Sequence, residues 1–147
     1  ERAVAADPRS LAARFALVSL TVLTGKHDIA KAQVAKMKEL QPNDFRTMYS
    51  DALGSYVTGN ATHAHEVVER LVAARTDHLP SVFLSGLVDF QLGSNASAEA
   101  SLRKVLARSP EDANAGRILA LVYLRQGRPG DALEVLKPVV QEMDAPG

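Results

Sequence analysis

Small and apolar residues return along this chain in register, and the register predicts its elements. Glycines stand at Gly25, Gly59, Gly93 and Gly127, each 34 residues after the last. Five residues beyond each lies an alanine (Ala30, Ala64, Ala98, Ala132), and four further on come Val34, Val68, Leu102 and Leu136. Pro8, Pro42 and Pro110 fall on the same 34-residue grid, with Thr76 and Asp144 in the remaining slots. A glycine can take the left-handed conformation that closes a helix. An alanine in the first turns of the next helix lets two helices approach closely, and its counterparts Ala52, Gly86 and Ala120 are small too, with Val18 the larger exception. The prolines stop the second helix of each pair because they cannot donate its next hydrogen bond. Asp44, Asp112 and Ser10 suit N-caps. The spacing therefore predicts helix pairs 10–24 with 27–40, 44–58 with 61–75, 80–92 with 95–108, and 112–126 with 129–143, with residues 1–6 reading as an earlier helix. Pro80 and Pro129 fit first turns. Pro138 falls inside the last helix and predicts a kink or an early end there.

A period of 34, two helices per repeat, and glycine followed five residues later by alanine with proline near the end resemble the tetratricopeptide repeat (TPR). The resemblance divides the chain into the end of a preceding repeat (1–10) and repeats 11–44, 45–78, 79–112 and 113–147 of one continuous array. It implies an all-α fold, a right-handed α-solenoid of stacked antiparallel helix pairs. Departures from the family pattern are specific. Its large residue early in the first helix is replaced by Arg14, Met48, Val82 and Gly116, and its aromatic after the glycine by His27, Ala61, Asn95 and Pro129. Two usually apolar slots hold Asp51 and Ser55 in repeat two, and Ser85 and Asp89 in repeat three. Residues 1–20 and 77–110 are also similar to the long TPR proteins, often lipoproteins, of the exosortase/PEP-CTERM sorting system of Gram-negative bacteria. That second resemblance implies a periplasmic or envelope setting and a link to extracellular polysaccharide production.

Composition narrows the chemistry. Lys+Arg and Asp+Glu number 17 each, so no excess of base is present to neutralise nucleic-acid phosphates. The absence of Cys excludes disulfides, zinc–cysteine sites and thiol chemistry. The most apolar stretch, Leu11 to Leu23, is too short to span a bilayer and contains Arg14, so no direct membrane insertion is expected of this segment. The first residue is Glu1, inside what reads as a helix, which suggests a piece of a longer protein. No phosphate-cradling loop, dinucleotide fingerprint, HExxH or GxSxG occurs, so neither an enzyme nor a cofactor is expected. His63 and His65, two apart on a helix, point to different faces and cannot chelate one metal together. With His27 and His78 they read as solvated surface groups. Glu66 and Arg70 sit at helical ion-pair spacing, and the sequons at Asn60 and Asn95 coincide with turn positions.

The informative surface is a stripe on the first helix of each repeat, which in TPR proteins lines the concave face. Its members at i, i+4 and i+7 are Phe15, Ser19, Val22; Tyr49, Leu53, Tyr56; Phe83, Leu87, Phe90; and Arg117, Leu121, Leu124. Stacked repeats would align Phe15, Tyr49 and Phe83 in one row and Tyr56 with Phe90 in another. Such a groove suits an amphipathic helix or an extended apolar peptide. Alternatively a small rotation of the helices turns the same aromatics into inter-repeat core; burial of Tyr49, Tyr56, Phe83 and Phe90 would mark that case. Lys and Asn are missing from these positions, so a clamp for acidic peptide tails has no donors; Arg46, Arg117 and Arg125 are the nearby bases. The expected role is a protein–protein interaction scaffold. A structural spacer, or the arm of an enzyme whose catalytic domain lies elsewhere, are the alternatives. Leu133, Val135, Leu136, Val139 and Val140 surround several faces of the last helix and predict exposed apolar surface with scope for self-association.

Overall fold

In a computed structural model, which describes residues 2–143, the described residues form nine α-helices and no strand. They are α1 (Arg2–Ala6), α2 (Leu11–Leu23), α3 (His27–Leu40), α4 (Phe45–Val57), α5 (Ala61–Ala74), α6 (Leu79–Leu92), α7 (Asn95–Arg108), α8 (Ala113–Arg125) and α9 (Pro129–Met143). Every helix of the four predicted pairs begins and ends within one residue of its expected position. The fold is thus the expected all-α class of paired helices. Glu1 and Asp144 lie outside the described residues.

The chain divides into two compact units, residues 1–74 and 75–147. In the first, α2 pairs with α3 and α4 with α5, while α4 packs on both α2 and α3 and α1 touches α2. In the second, α6 pairs with α7 and α8 with α9, while α8 packs on both α7 and α6. The small-residue columns are the contact lines. Ala30, Ala64, Ala98 and Ala132 are all buried, as are Ala52, Gly86 and Ala120. At Gly86 the fit allows no side chain, since a Cβ there would lie 2.8 Å from Leu102 Cγ. Around these lines Val18, Met37, Val68 and Leu71 fill the first unit, and Leu84, Val88, Leu102 and Leu119 the second. Each such side chain contributes about 1.5–3 kcal/mol of apolar burial.

The turns close as their residue types demand. Gly93 ends α6 with φ of +80°, and the next amide, Ser94 N–H, donates back to Asp89 O at 2.9 Å. The same closure recurs from Lys26 to Thr21 O (2.7 Å), Asn60 to Ser55 O (2.8 Å) and Arg128 to Tyr123 O (2.8 Å). Ser10, Asp44 and Asp112 cap their helices by accepting from Ala13, Arg46 and Asn114 amides. A fourth cap is one the sequence did not suggest: His78 accepts from Ser81 N–H at the start of α6.

Of the two outcomes expected at Pro138, an early end does not occur: the last helix runs through it to Met143, the bound that the spacing predicts. Pro138 and Glu134 are both exposed, so water can serve the carbonyl that the proline leaves without a donor. Arg14, in a slot usually filled by a large apolar side chain, is buried at 8% exposure. Its guanidinium donates to Pro8 O through Nη2 (2.7 Å) and Nε (3.2 Å), and to Gln33 Oε1 through Nη1, latching the α1–α2 turn to α3. On α9, Leu133 and Val140 are exposed and Val135 and Leu136 half-buried, while the Val139 side chain lies outside those described.

Candidate functional site

The aromatic stripe of the first unit rises from α2 and α4. Phe15 and Tyr49 meet edge to face, ring centroids 6.0 Å apart and planes at 63°, an arrangement that adds about 0.5–1.5 kcal/mol to simple burial. Phe15 also leans with Val22 on the core of Leu11, Val18, Ala30, Val34 and Met37, which fixes its ring from beneath. Leu53 and Tyr56 extend the stripe along α4. Phe15, Tyr49, Leu53 and Tyr56 are all half-buried, and burial pushes the Tyr49 and Tyr56 hydroxyls above their usual pKa.

In the second unit α6 presents Phe83, Leu87 and Phe90, again half-buried, and α8 presents the exposed Arg117, Leu121, Leu124 and Arg125. Arg125 covers the Phe90 ring at 3.7 Å from its centroid and donates through Nη1 to the Phe90 carbonyl at 2.7 Å. Arg117 donates to Asn114 Oδ1, and in the first unit Arg46 pairs with the N-cap carboxylate of Asp44. That contact, first through the Arg46 hydrogen bond, holds the Asp44 carboxyl below its usual range. None of Tyr49, Tyr56, Phe83 and Phe90 is buried.

The histidines are not simple solvated groups. His63 Nε2 lies 3.1 Å from Asp51 Oδ2, an oxygen that also receives Lys38 Nζ at 2.9 Å, so Asp51 joins α3, α4 and α5. Glu66 Oε2 lies 4.0 Å from the other His63 nitrogen. His65 points elsewhere, to Glu69 at 3.4 Å. Pairing of the helices, which sequence spacing alone does not give, sets Asp51 opposite His63. Among the described residues no group of three or more His, Asp or Glu is placed to hold a metal ion.

Sequence reading marked Asp51, Ser55 and His27 as departures but not what they build together. They line a cavity of about 250 Å³ between α3 and α4, with Ala30, Lys31, Val34, Gly54 and Asn60 among its other walls. The second unit shows the same joint 68 residues on, between α7 and α8, and it is built differently. There Val122 and Tyr123 stand where Gly54 and Ser55 do, both buried, and the Arg128 guanidinium lies 4.4 Å over the Tyr123 ring. Glu99, at the position of Lys31, accepts from Gln126 (3.1 Å) and Arg128 (3.0 Å). Burial pushes the Glu99 carboxyl up, but those two hydrogen bonds and the charges of Arg128 and Arg103 outweigh it and hold the group below its usual value.

Residues 83–142 match the tetratricopeptide repeat family. No curated protein sequence is significantly similar to the chain. Among solved structures, MamA from Desulfovibrio magneticus (residue 41 to its end) superposes with a TM-score of 0.79 at 18% identity, over 97% of this chain and 82% of that one. Another crystal structure of MamA gives 0.74 at 18% identity, over 97% and 84%. A tetratricopeptide repeat protein from Parabacteroides merdae gives 0.77 at 14% identity, over 96% of this chain and 55% of that one. At such identities the likeness is one of fold.

Proposed function

We propose that this chain is a protein–protein interaction scaffold, without a reaction or cofactor of its own, that binds a peptide or helix of a partner along the first helices of its repeats. We take each helix pair as one repeat, with the boundaries 11–44, 45–78, 79–112 and 113–147. The observation that carries the reading is that, within each unit, aromatic and leucine side chains on the first helices are left half-buried or exposed. Phe15, Tyr49, Leu53 and Tyr56 form the apolar floor in the first unit; Phe83, Leu87, Phe90 and Leu121 form it in the second, with Arg117 and Arg125 as its bases. Anchoring apolar side chains there would contribute about 1.5–3 kcal/mol each. Selection of peptides from a random displayed library is the direct test. The expected outcome is a consensus of apolar residues at helical spacing, with binding reduced at least about tenfold by Tyr49→Ala and by Phe83→Ala, the loss of one buried anchor. Peptides without apolar anchors, or binding that both variants leave intact, would reject the groove.

Two finer statements accompany this reading. The wording of residues 1–20 and 77–110 supports a partner in a bacterial envelope system that sorts proteins or exports polysaccharide. Cross-linking in the native cell would recover envelope components if so, and cytoplasmic ones if not. The exposed Leu133 and Val140 on α9 support self-association through that helix. Sedimentation showing a strict monomer at high concentration would remove it. Among the described residues no helix is long and apolar enough to cross a membrane.

A further inference from the structure

The cavity between α3 and α4 shares α4 with the aromatic stripe but none of its residues, and its chemistry can be read against its counterpart between α7 and α8. At the later joint the space beside the buried alanine column holds the phenol ring of Tyr123, 7% exposed, with an acid, Glu99, at its rim. At the earlier joint Ser55 replaces the tyrosine, Gly54 replaces valine, and a base, Lys31, replaces the acid. The walls of Ala30 and Val34 stay apolar and Val57 adds a third apolar side chain where the later joint has Arg125, while His27, Ser55, Thr58 and Asn60 add hydrogen-bonding groups. The His27 Nδ1 atom, shielded from solvent, has no hydrogen-bond partner among the described residues. Asp51 is the acid on this wall, and its Oδ2 is engaged by Lys38 and His63. The bases Lys31 and Lys38 stand here against the single acid Asp51.

We propose that this cavity is a binding site for a small aromatic ring bearing a carboxylate, the ring lying where the later joint carries its own phenol and the carboxylate meeting Lys31. A space of about 250 Å³ admits a single substituted ring; apolar cavities of smaller size are known to take benzene. Apolar walls with a few convergent polar groups are the ordinary composition of small-ligand sites. The ligand is either a free aromatic acid or the C-terminal aromatic residue of a peptide, since both offer the same ring and carboxylate.

The test is a titration of the whole chain followed by amide chemical shifts, with 4-hydroxyphenylacetate as probe. Saturable shifts are expected at His27, Lys31, Ser55 and Asn60. Lys31→Ala should weaken the acid roughly two- to fivefold, as loss of one exposed ion pair does, and leave binding of 4-ethylphenol, the ring without the carboxylate, unchanged. Ser55→Tyr supplies the ring from within and should abolish binding while raising the melting temperature. Gly54→Val, which copies Val122, gives a second blocked variant should the first not fold. A short peptide ending in tyrosine, titrated in parallel, separates the sources: tighter binding than the free acid assigns a peptide terminus, weaker binding a free metabolite. Absence of saturable shifts, or shifts that persist in the blocked variants, would overturn the site. Neither result bears on Tyr49 or Phe83, so the groove stands or falls separately.

Discussion

Helices α4 and α8 hold equivalent places in the two units, yet their packed sides have opposite character. On α4 the inward positions carry Thr47, Ser50, Asp51, Gly54 and Ser55; 68 residues later α8 carries Ala115, Ile118, Leu119, Val122 and Tyr123. Thr47 and Ser50 are fully buried, and their hydroxyls meet no partner among the described residues. On α8, Ala115, Leu119, Val122 and Tyr123 are buried as an apolar set. The backbone closures are the same in both units, so the 34-residue framework does not depend on a fully apolar joint. Helix pairing is set by the alanine and glycine columns, and the joint between pairs is free to vary.

That contrast can be broken most sharply from the α8 side. Tyr123→Ser would open the second joint to resemble the first. It should cost about 3–4 kcal/mol, the loss of a large buried ring together with its stacked guanidinium, read as a fall in the denaturant midpoint. The shared framework is probed by Ala64→Leu or Ala98→Leu. Both alanines have 0% exposure, and overpacking should cost about 1–3 kcal/mol. Unchanged melting in both variants would contradict the assigned contact line. From the α4 side, Thr47→Val removes a hydroxyl without a partner and keeps the shape. Stability should rise by about 1 kcal/mol, and a fall would show that the hydroxyl is satisfied after all.

Smaller effects are read by pH. Glu99 is held below the ordinary glutamate value in the folded state. Its contribution, about 0.5–1 kcal/mol for a partly exposed network, is complete above that ordinary value and lost as pH falls through the folded one. Glu99→Gln should flatten that part of the stability–pH curve, whereas substitution of Lys31 should not. His78 is shifted down, first by burial and then by the charge of Arg75. Its neutral ring accepts the Ser81 amide, so this cap should be whole above about pH 6.5, the ordinary histidine value, and weaken as pH falls below it. His78→Asn should remove the dependence, visible in amide exchange at the start of α6.

Much of this was legible in the sequence because it rests on columns. Gly25, Gly59, Gly93 and Gly127 mark turns, Pro42 and Pro110 mark ends, and Asp44 and Asp112 mark caps through local chemistry that spacing alone reveals. The half-exposed placement of Phe15, Tyr49, Phe83 and Phe90 could not be decided that way, since a modest rotation of a helix exchanges groove for core. The buried Arg14, the His78 cap, the Asp51–His63 contact and the Glu99–Arg128 bond were hidden for a related reason. Each depends on which side-chain conformer meets a group on another helix or turn. The repeat spacing, and not Pro138, sets the end of α9, because the exposed carbonyl that the proline leaves without a donor can turn to water.

Asp51 has one more consequence. A single carboxylate oxygen gripping Lys38 on one neighbour and His63 on the other behaves as a rivet through three consecutive rods. Neither neighbour can slide along α4 without surrendering a polar bond. Displacing either neighbour therefore gives up one partly exposed contact, worth about 0.2–1 kcal/mol.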